Sequence, residues 1–297
     1  MRSSVLRRLS LASTVAALSL AASASPAGAV TIGQIPETDP GSGCTSSLYD
    51  FIQFTTSGNS YVVPNTGGVT QWTLTSWSHF ATTGDGQMLK MKVFRKVGEP
   101  NTYQAVVHDG PRNLAPGVVN TFTTSLAVRA GDILGNNSAN AGEVFNACLF
   151  DHPGPDVLDE HRERPGDLAD GQSGAFDLTD NYYVNVSAEV TPVNTFTLGA
   201  ITRNKKKGTA TESATVPNPG SLTVSGNGVK AAGAGKAVSV TAAGTVQLPI
   251  RAKGKKKKKL NTKGKVKVRP TITYTPIGGN PSSQSIKVKL KKKLKKR

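Results

Sequence analysis

Tyr182-Tyr183-Val184-Asn185-Val186-Ser187-Ala188-Glu189-Val190-Thr191 sets Tyr182, Val184, Val186, Ala188 and Val190 at every second position. Successive side chains of an extended chain point to opposite faces, so this spacing predicts a strand with one face on a core and one in water. The same period recurs upstream in Val118–Val128, where Phe122, Leu126 and Val128 share a parity. Further strands are expected at Asp50–Thr55, Tyr61–Val63, Gly68–Phe80, Gln87–Val97, Thr102–His108 and Glu143–Phe150. Asn65-Thr66-Gly67-Gly68, Gly84-Asp85-Gly86, Asp109-Gly110-Pro111 and Gly135-Asn136-Asn137 are turn signals between them. Short alternating strands with no amphipathic helix predict an all-β, jelly-roll-like antiparallel sandwich over residues 30–193.

The flanks set the compartment. Residues 1–29 carry Arg2, Arg7 and Arg8, then an apolar run from Leu9 to Ala22, then Ala27-Gly28-Ala29. These are the three parts of a secretory signal. The apolar run is about 14 residues, against the ~20 needed to span a bilayer, so it is not expected to be a transmembrane anchor. Export permits a disulfide, and Cys44 and Cys148 are the only two cysteines. Their pairing would close a loop of about 105 residues and contribute ~4–5 kcal/mol by loop entropy.

Charge divides the chain. Formal net charge is +17, yet residues 31–193 carry 8 basic and 18 acidic residues, while 194–297 carry 25 basic residues and the single acid Glu212. An acidic region is thus joined to a very basic one, with a boundary expected near residue 193. Beyond it Leu222 and Val224, Val238 and Val240, Val246, Leu248 and Ile250, Val266 and Val268, Ile272 and Tyr274, and Ile286, Val288 and Leu290 alternate with polar residues. Asn218-Pro219-Gly220, Gly226-Asn227-Gly228 and Gly278-Gly279-Asn280-Pro281 read as turns. The pattern predicts a smaller Ig-like sandwich without the Ig cysteines. Lys255, Lys256, Lys257, Lys258 and Lys259 are expected in a solvated loop, and Lys291, Lys292, Lys293, Lys295 and Lys296 in a basic tail. Both are candidate contacts to polyanions such as wall polymers, anionic glycans or lipid headgroups. Stacking aromatics and Arg forks are missing there, so nucleic acid would be captured only nonspecifically.

Two candidate sites stand out before residue 193. In Gly68–Phe80, unbroken alternation puts Trp72, Leu74 and Phe80 on the core face and Trp77 and His79 on the other. An exposed indole there would suit stacking on a sugar ring; burial under another sheet is the competing reading. Residues 151–180 hold nine acids, among them Asp156, Asp159, Glu160, Asp167 and Asp170, against Arg162 and Arg164. A segment so long, acidic and rich in Gly and Pro reads as a solvated loop, a Ca2+ site built on carboxylate oxygens, or a surface that docks on the basic region. No GxSxG or HExxH motif occurs, which argues against those hydrolase classes and names no catalytic residue.

Val128–Gly135 resembles the strand–Gly-Asp–strand turn of extracellular jelly-roll domains, including some carbohydrate-binding modules. Val30–Ile35, the Gln87–Gly98 region and most of 194–297 together resemble secreted two-domain β proteins of high-GC soil bacteria with a Lys-rich C-terminal β module. That resemblance implies secretion and a two-domain plan; it brings no activity and no site residues. The expected function is a non-enzymatic secreted or cell-surface protein, its basic region on polyanions and its acidic region recognising a glycan. A secreted hydrolase on a jelly-roll scaffold and a purely structural surface protein are the alternatives.

Overall fold

The Tyr182–Thr191 alternation forms β-structure in the computed structural model, which describes residues 28–40, 48–139, 147–151, 159–231 and 237–294. The strands before residue 193 are β1 (Val30–Gln34), β2 (Tyr49–Thr55), β3 (Gln71–Phe80), β4 (Met88–Gly98), β5 (Thr102–Asn113), β6 (Val119–Arg129), β7 (Ile133–Ser138), β8 (Leu149–Phe150), β9 (Glu160–Pro165), β10 (Ser173–Ala175), β11 (Leu178–Asp180), β12 (Tyr183–Val184) and β13 (Val186–Pro192). Those after it are β14 (Thr197–Asn204), β15 (Thr209–Val216), β16 (Gly220–Ser225), β17 (Val229–Lys230), β18 (Val238–Val240), β19 (Gly244–Ala252), β20 (Lys265–Val268), β21 (Thr271–Pro276), β22 (Ser282–Ser285) and β23 (Val288–Lys291), with helix α1 (Gly254–Lys263) between β19 and β20. The protein is all-β, and the strand ladders are antiparallel. The signal-like segment 1–27 and Cys44 lie outside the described residues. No helix among the described residues is long and apolar enough to cross a membrane.

A four-stranded sheet, β1-β13-β3-β6, faces a seven-stranded sheet, β10-β5-β4-β7-β2-β9-β11. The core between them takes Trp72, Leu74, Trp77, Val186, Ala188 and Val190 from the first and Phe51, Leu89, Met91, Val93 and Leu134 from the second. Cys148 is fully buried in this core. The seven-stranded sheet also has a second covered face. Ile52, Phe94, Tyr103 and Ala105 on that face pack under Leu168 and Phe176. Covering both faces explains why β7 is buried at nearly every residue, where the Gly135-Asn136-Asn137 signal had suggested a turn. The Asn137 side-chain nitrogen donates to Tyr49 O, Asp50 Oδ1 and Gly166 O, so its N–H groups are satisfied inside the strand, while its Oδ1 is buried without a partner. The Asp109-Gly110-Pro111 signal likewise falls within β5, where the ladder with β4 shifts register.

Residues after 193 build a second core from Leu222, Val224, Leu248, Ile250, Ile272, Tyr274 and their neighbours, sharing no residue with the first. Its sheets are β14-β15-β19-β17, β18-β16-β21-β22 and the pair β20-β23. Asn218 joins the two parts of the chain. Its side-chain oxygen accepts from Thr70 N at 3.1 Å and Gln71 N at 2.9 Å, and its amide donates to Gln71 O at 2.8 Å and Val193 O at 3.3 Å. Its own carbonyl accepts from the Tyr274 hydroxyl. The expected turn at Asn218-Pro219-Gly220 thus carries a fully buried pin, Asn218.

Candidate functional site

Strand direction places the charge. β16 leaves the Asn218 junction at Gly220 and ends at Ser225, about 17 Å away at ~3.3 Å per residue. β21 runs back, with Thr271 opposite Ser225 and Pro276 opposite Gly220. β15 ends and β19 begins at the junction end, since Val216 pairs with Gly244. The opposite ends of these strands form the far pole, and the basic residues sit there. Arg203 lies at the end of β14 and Lys205, Lys206 and Lys207 follow it; Arg251 lies at the end of β19 and Lys253 follows it; Lys255–Lys259 and Lys263 lie on α1; Lys265, Lys267, Lys289 and Lys291 lie on β20 and β23. Strands β15, β16, β18, β21 and β22 carry no Lys or Arg. Their exposed and half-exposed positions are uncharged and hold Thr and Ser except at Gly220, Val238 and Gln284, as in the Thr271–Ser285 and Thr273–Ser283 hydroxyl pairs.

The run Lys255–Lys259 is helical, which corrects the expected loop. Lysine is a good helix former, and three features fix the segment. Leu260 is buried against the second core. Gly264 ends the helix in the left-handed conformation, φ 64°, with its N–H on Leu260 O. Lys292 donates its backbone N–H to Gly264 O and its ammonium to Asn261 Oδ1 at 2.8 Å. That last contact brings Lys291–Lys293 beside the 255–259 run, which is distant in sequence. Lys291 belongs to β23 rather than to a free tail; Lys295 and Lys296 lie outside the described residues.

Like charges are crowded at this pole. Lys265 stands opposite Lys291 and Lys267 opposite Lys289 on the two-stranded ladder. Directly opposed like charges destabilise a ladder. Lys255 and Lys259 repeat the conflict at i, i+4 on α1. Glu212, the region's one acid, is buried in β15, its Oε2 lacks a hydrogen-bond partner, and burial raises its pKa. The ion pairs among the described residues lie between residues 50 and 170, so none of them neutralises the pole.

The Trp77–His79 platform is overturned. The β3 ladder slips between Leu74 and Ser76 against β6, and β13 slips at Glu189/Val190. This bulge adds a residue and flips the parity, so Trp77 joins Trp72 and Leu74 inside. Trp77 is 1% exposed and His79 0%. The Trp77 indole donates to Asp109 Oδ2 at 2.6 Å and its ring packs on Phe122. Burial raises the Asp109 pKa, but hydrogen bonds from Arg112 and Trp77 outweigh it and hold the group below the usual carboxylate value. His79 Nδ1 lies 2.7 Å from Asn185 O, and its Nε2 has no partner. Burial lowers the His79 pKa from 6.5 to about 4. The unfolded chain then binds the proton more tightly, so stability is full above pH 6.5 and falls as pH drops toward 4. The loss reaches about 3 kcal/mol at 1.36 kcal/mol per unit. Urea midpoints of wild type and His79→Gln between pH 7 and 4 are expected to diverge, the wild type falling more steeply; parallel curves would refute this.

The acidic segment is also ordered where it is described. Glu160–Pro165, Ser173–Ala175 and Leu178–Asp180 are strands, and residues 166–177 cover the outer face of the seven-stranded sheet through Leu168 and Phe176. Their acids face their own region rather than the basic one. Asp159 accepts from Ser57 and Tyr183. Asp167 pairs with Lys90 and Lys92, whose hydrogen bonds outweigh burial and lower its pKa. Asp170 Oδ1 lies 2.9 Å from His108 Nδ1. Glu160 lies 3.3 Å from Arg162 Nε. Asp156 lies outside the described residues. Among the described residues no three of His, Cys, Asp and Glu come together as a metal group, so the Ca2+ reading gains no ligand set. The centre of the segment is Lys92, 1% exposed, which reaches Asp50 Oδ1 at 2.6 Å, Asp167 Oδ1 at 2.8 Å and Leu168 O at 2.8 Å. Composition flagged these acids but not their partners, which come from the bend after β2 and from β4, β5, β9 and β12.

No protein-family model matches the chain, and no curated protein matches it.

Proposed function

We propose that this is a non-enzymatic protein, exported from the cell, whose residues 194–297 hold it to extracellular or envelope polyanions. In this reading the basic part is an Ig-like sandwich and residues 30–193 a jelly-roll-like one stapled by Cys44–Cys148. The signal-like N-terminus and the resemblance to secreted two-domain β proteins support export; the deep burial of Cys148 and the absence of a free cysteine among the described residues support the bridge.

The observation that carries the binding proposal is the segregation of lysine. Lysines that only keep a small β region soluble would be spread over every exposed face. Here the junction half is neutral Ser and Thr, while the far pole opposes Lys265 to Lys291 and Lys267 to Lys289 without an exposed acid nearby. Such crowding raises the folded state's energy unless an anion offsets it. The glycan role of the acidic region loses its motivating face with Trp77 inside, so recognition rests on the basic pole. The test is binding of the mature chain to an immobilised anionic polymer at rising NaCl. Affinity is expected to fall at least tenfold between 50 and 500 mM, as screening requires. Salt-independent binding, or none at 50 mM, would remove the proposal.

A further inference from the structure

The far pole is not evenly basic; many of its cations line concave surfaces. One groove of about 460 Å³ is walled by Lys207, Lys230, Arg251, Lys253, Lys257 and Lys292, with Thr209 and Asn261 as neutral donors. A shallower hollow beside it takes Arg203, Lys205, Lys206 and Lys293. Lys206 and Lys207 are consecutive, as are Lys292 and Lys293, so the groove and this hollow share a rim. A third depression, lined by Lys256, Lys267, Arg269 and Lys287, lies on the other flank of α1. Successive residues Lys256 and Lys257 of the helix thus serve two different depressions, about 100° apart around an axis whose width is roughly 10 Å. The three depressions form one track across the pole.

Resting on the polyanion reading, and deepening it, we propose that this track seats a linear phosphate polymer, with separate runs of its phosphates entering the central groove and the two depressions beside it. The chemistry of the lining selects the class. The groove has five lysines to one arginine. Lysine ammoniums are compact point charges with three donors each and suit a tetrahedral oxyanion from any side, whereas the arginine fork, which matches carboxylate and phosphate alike, is supplied only once in the groove. Among the described residues no aromatic side chain lines any of the three depressions, so neither a nucleobase nor a pyranose ring finds a stacking face there. A track that crosses a helix needs a ligand long enough to bridge it, so valency should dominate affinity.

The experiment compares long-chain inorganic polyphosphate, inorganic phosphate and poly-L-glutamate of matched charge as probes for the mature full-length chain at 100 mM NaCl. Polyphosphate is expected to bind at least tenfold more tightly than poly-L-glutamate and at least a hundredfold more tightly than inorganic phosphate per molecule. The variant Lys207→Gln/Lys230→Gln/Lys257→Gln removes three exposed groove lysines; Lys263→Gln/Lys289→Gln/Lys291→Gln removes the same charge from exposed positions outside the depressions. Both variants should weaken polyphosphate binding, the groove variant by at least tenfold and the control, which lowers only the general charge of the pole, by at least threefold less. Equal losses would overturn the groove while leaving general polyanion binding in place. Equal affinity for poly-L-glutamate would overturn the phosphate class. Absence of wild-type binding to either polymer would overturn both this inference and the reading beneath it.

Discussion

Lys92→Met should cost about 3–5 kcal/mol of folding stability, the range for removing one partner from a buried ion pair. The Lys92 ammonium uses its donors on Asp50, Asp167 and Leu168 O. Asp50 is 0% exposed; it also accepts from Asn137 and from Leu168 N, and Arg164 stands 3.8 Å away. Burial raises the Asp50 pKa despite these partners. Without Lys92 the carboxylate would protonate or draw water under Leu168. Residues 166–177 would then lose their hold on the sheet, since Asp167 and Leu168 both bond to this cluster. Urea denaturation should show the lowered midpoint, and limited proteolysis should cut first near residues 166–177. Lys92→Met/Asp50→Asn should recover part of the loss, because it leaves no uncompensated charge. A single variant as stable as wild type, or a double variant worse than the single one, would show that the cluster does not hold the segment.

The same cluster shows where sequence pattern stops being informative. Alternation located most strands, because side-chain period two survives any arrangement of sheets. It could not say which outward faces are covered. Lys90 and Lys92 alternate with Leu89, Met91 and Val93 as solvent-facing residues would, yet Lys92 is buried by a segment 75 residues downstream. That segment carries only Leu168 and Phe176 as apolar anchors among many acids, too few to suggest packing. The β3 bulge is equally silent: one inserted residue moves Trp77 from water to core, and Thr75-Ser76 has no composition that marks it. Charge segregation was visible in the sequence as a net difference, but the pole was not. It depends on strand direction, which places Arg203–Lys207, Arg251–Lys253 and Lys287–Lys293 at one end. The Lys255–Lys259 helix was missed because a charge run reads as solvated, and its anchor, Leu260, is a single residue.

Asn218→Ala is expected to uncouple the two parts of the chain. Four side-chain hydrogen bonds converge on this residue from Thr70, Gln71 and Val193, and all are lost together. At about 1 kcal/mol per bond the junction loses about 4 kcal/mol of interaction. The two cores share no residue, so this loss falls on their coupling rather than on either core. Calorimetry should therefore separate unfolding into two transitions, or widen a separation already present, and small-angle scattering should show a broader distribution of shapes. Asn218→Asp should not restore the junction: it keeps the acceptor toward Thr70 and Gln71 N–H but turns a second oxygen toward Gln71 O and Val193 O. Polyanion binding should be unchanged in both variants, because the basic pole lies at the opposite strand ends. Unaltered calorimetric and scattering profiles would mean that Asn218 is an ordinary buried turn. Loss of polymer binding would mean that the pole depends on the junction, against the strand geometry. With binding intact and coupling lost, Asn218 is the element that decides how the acidic region is presented once the basic pole has been anchored.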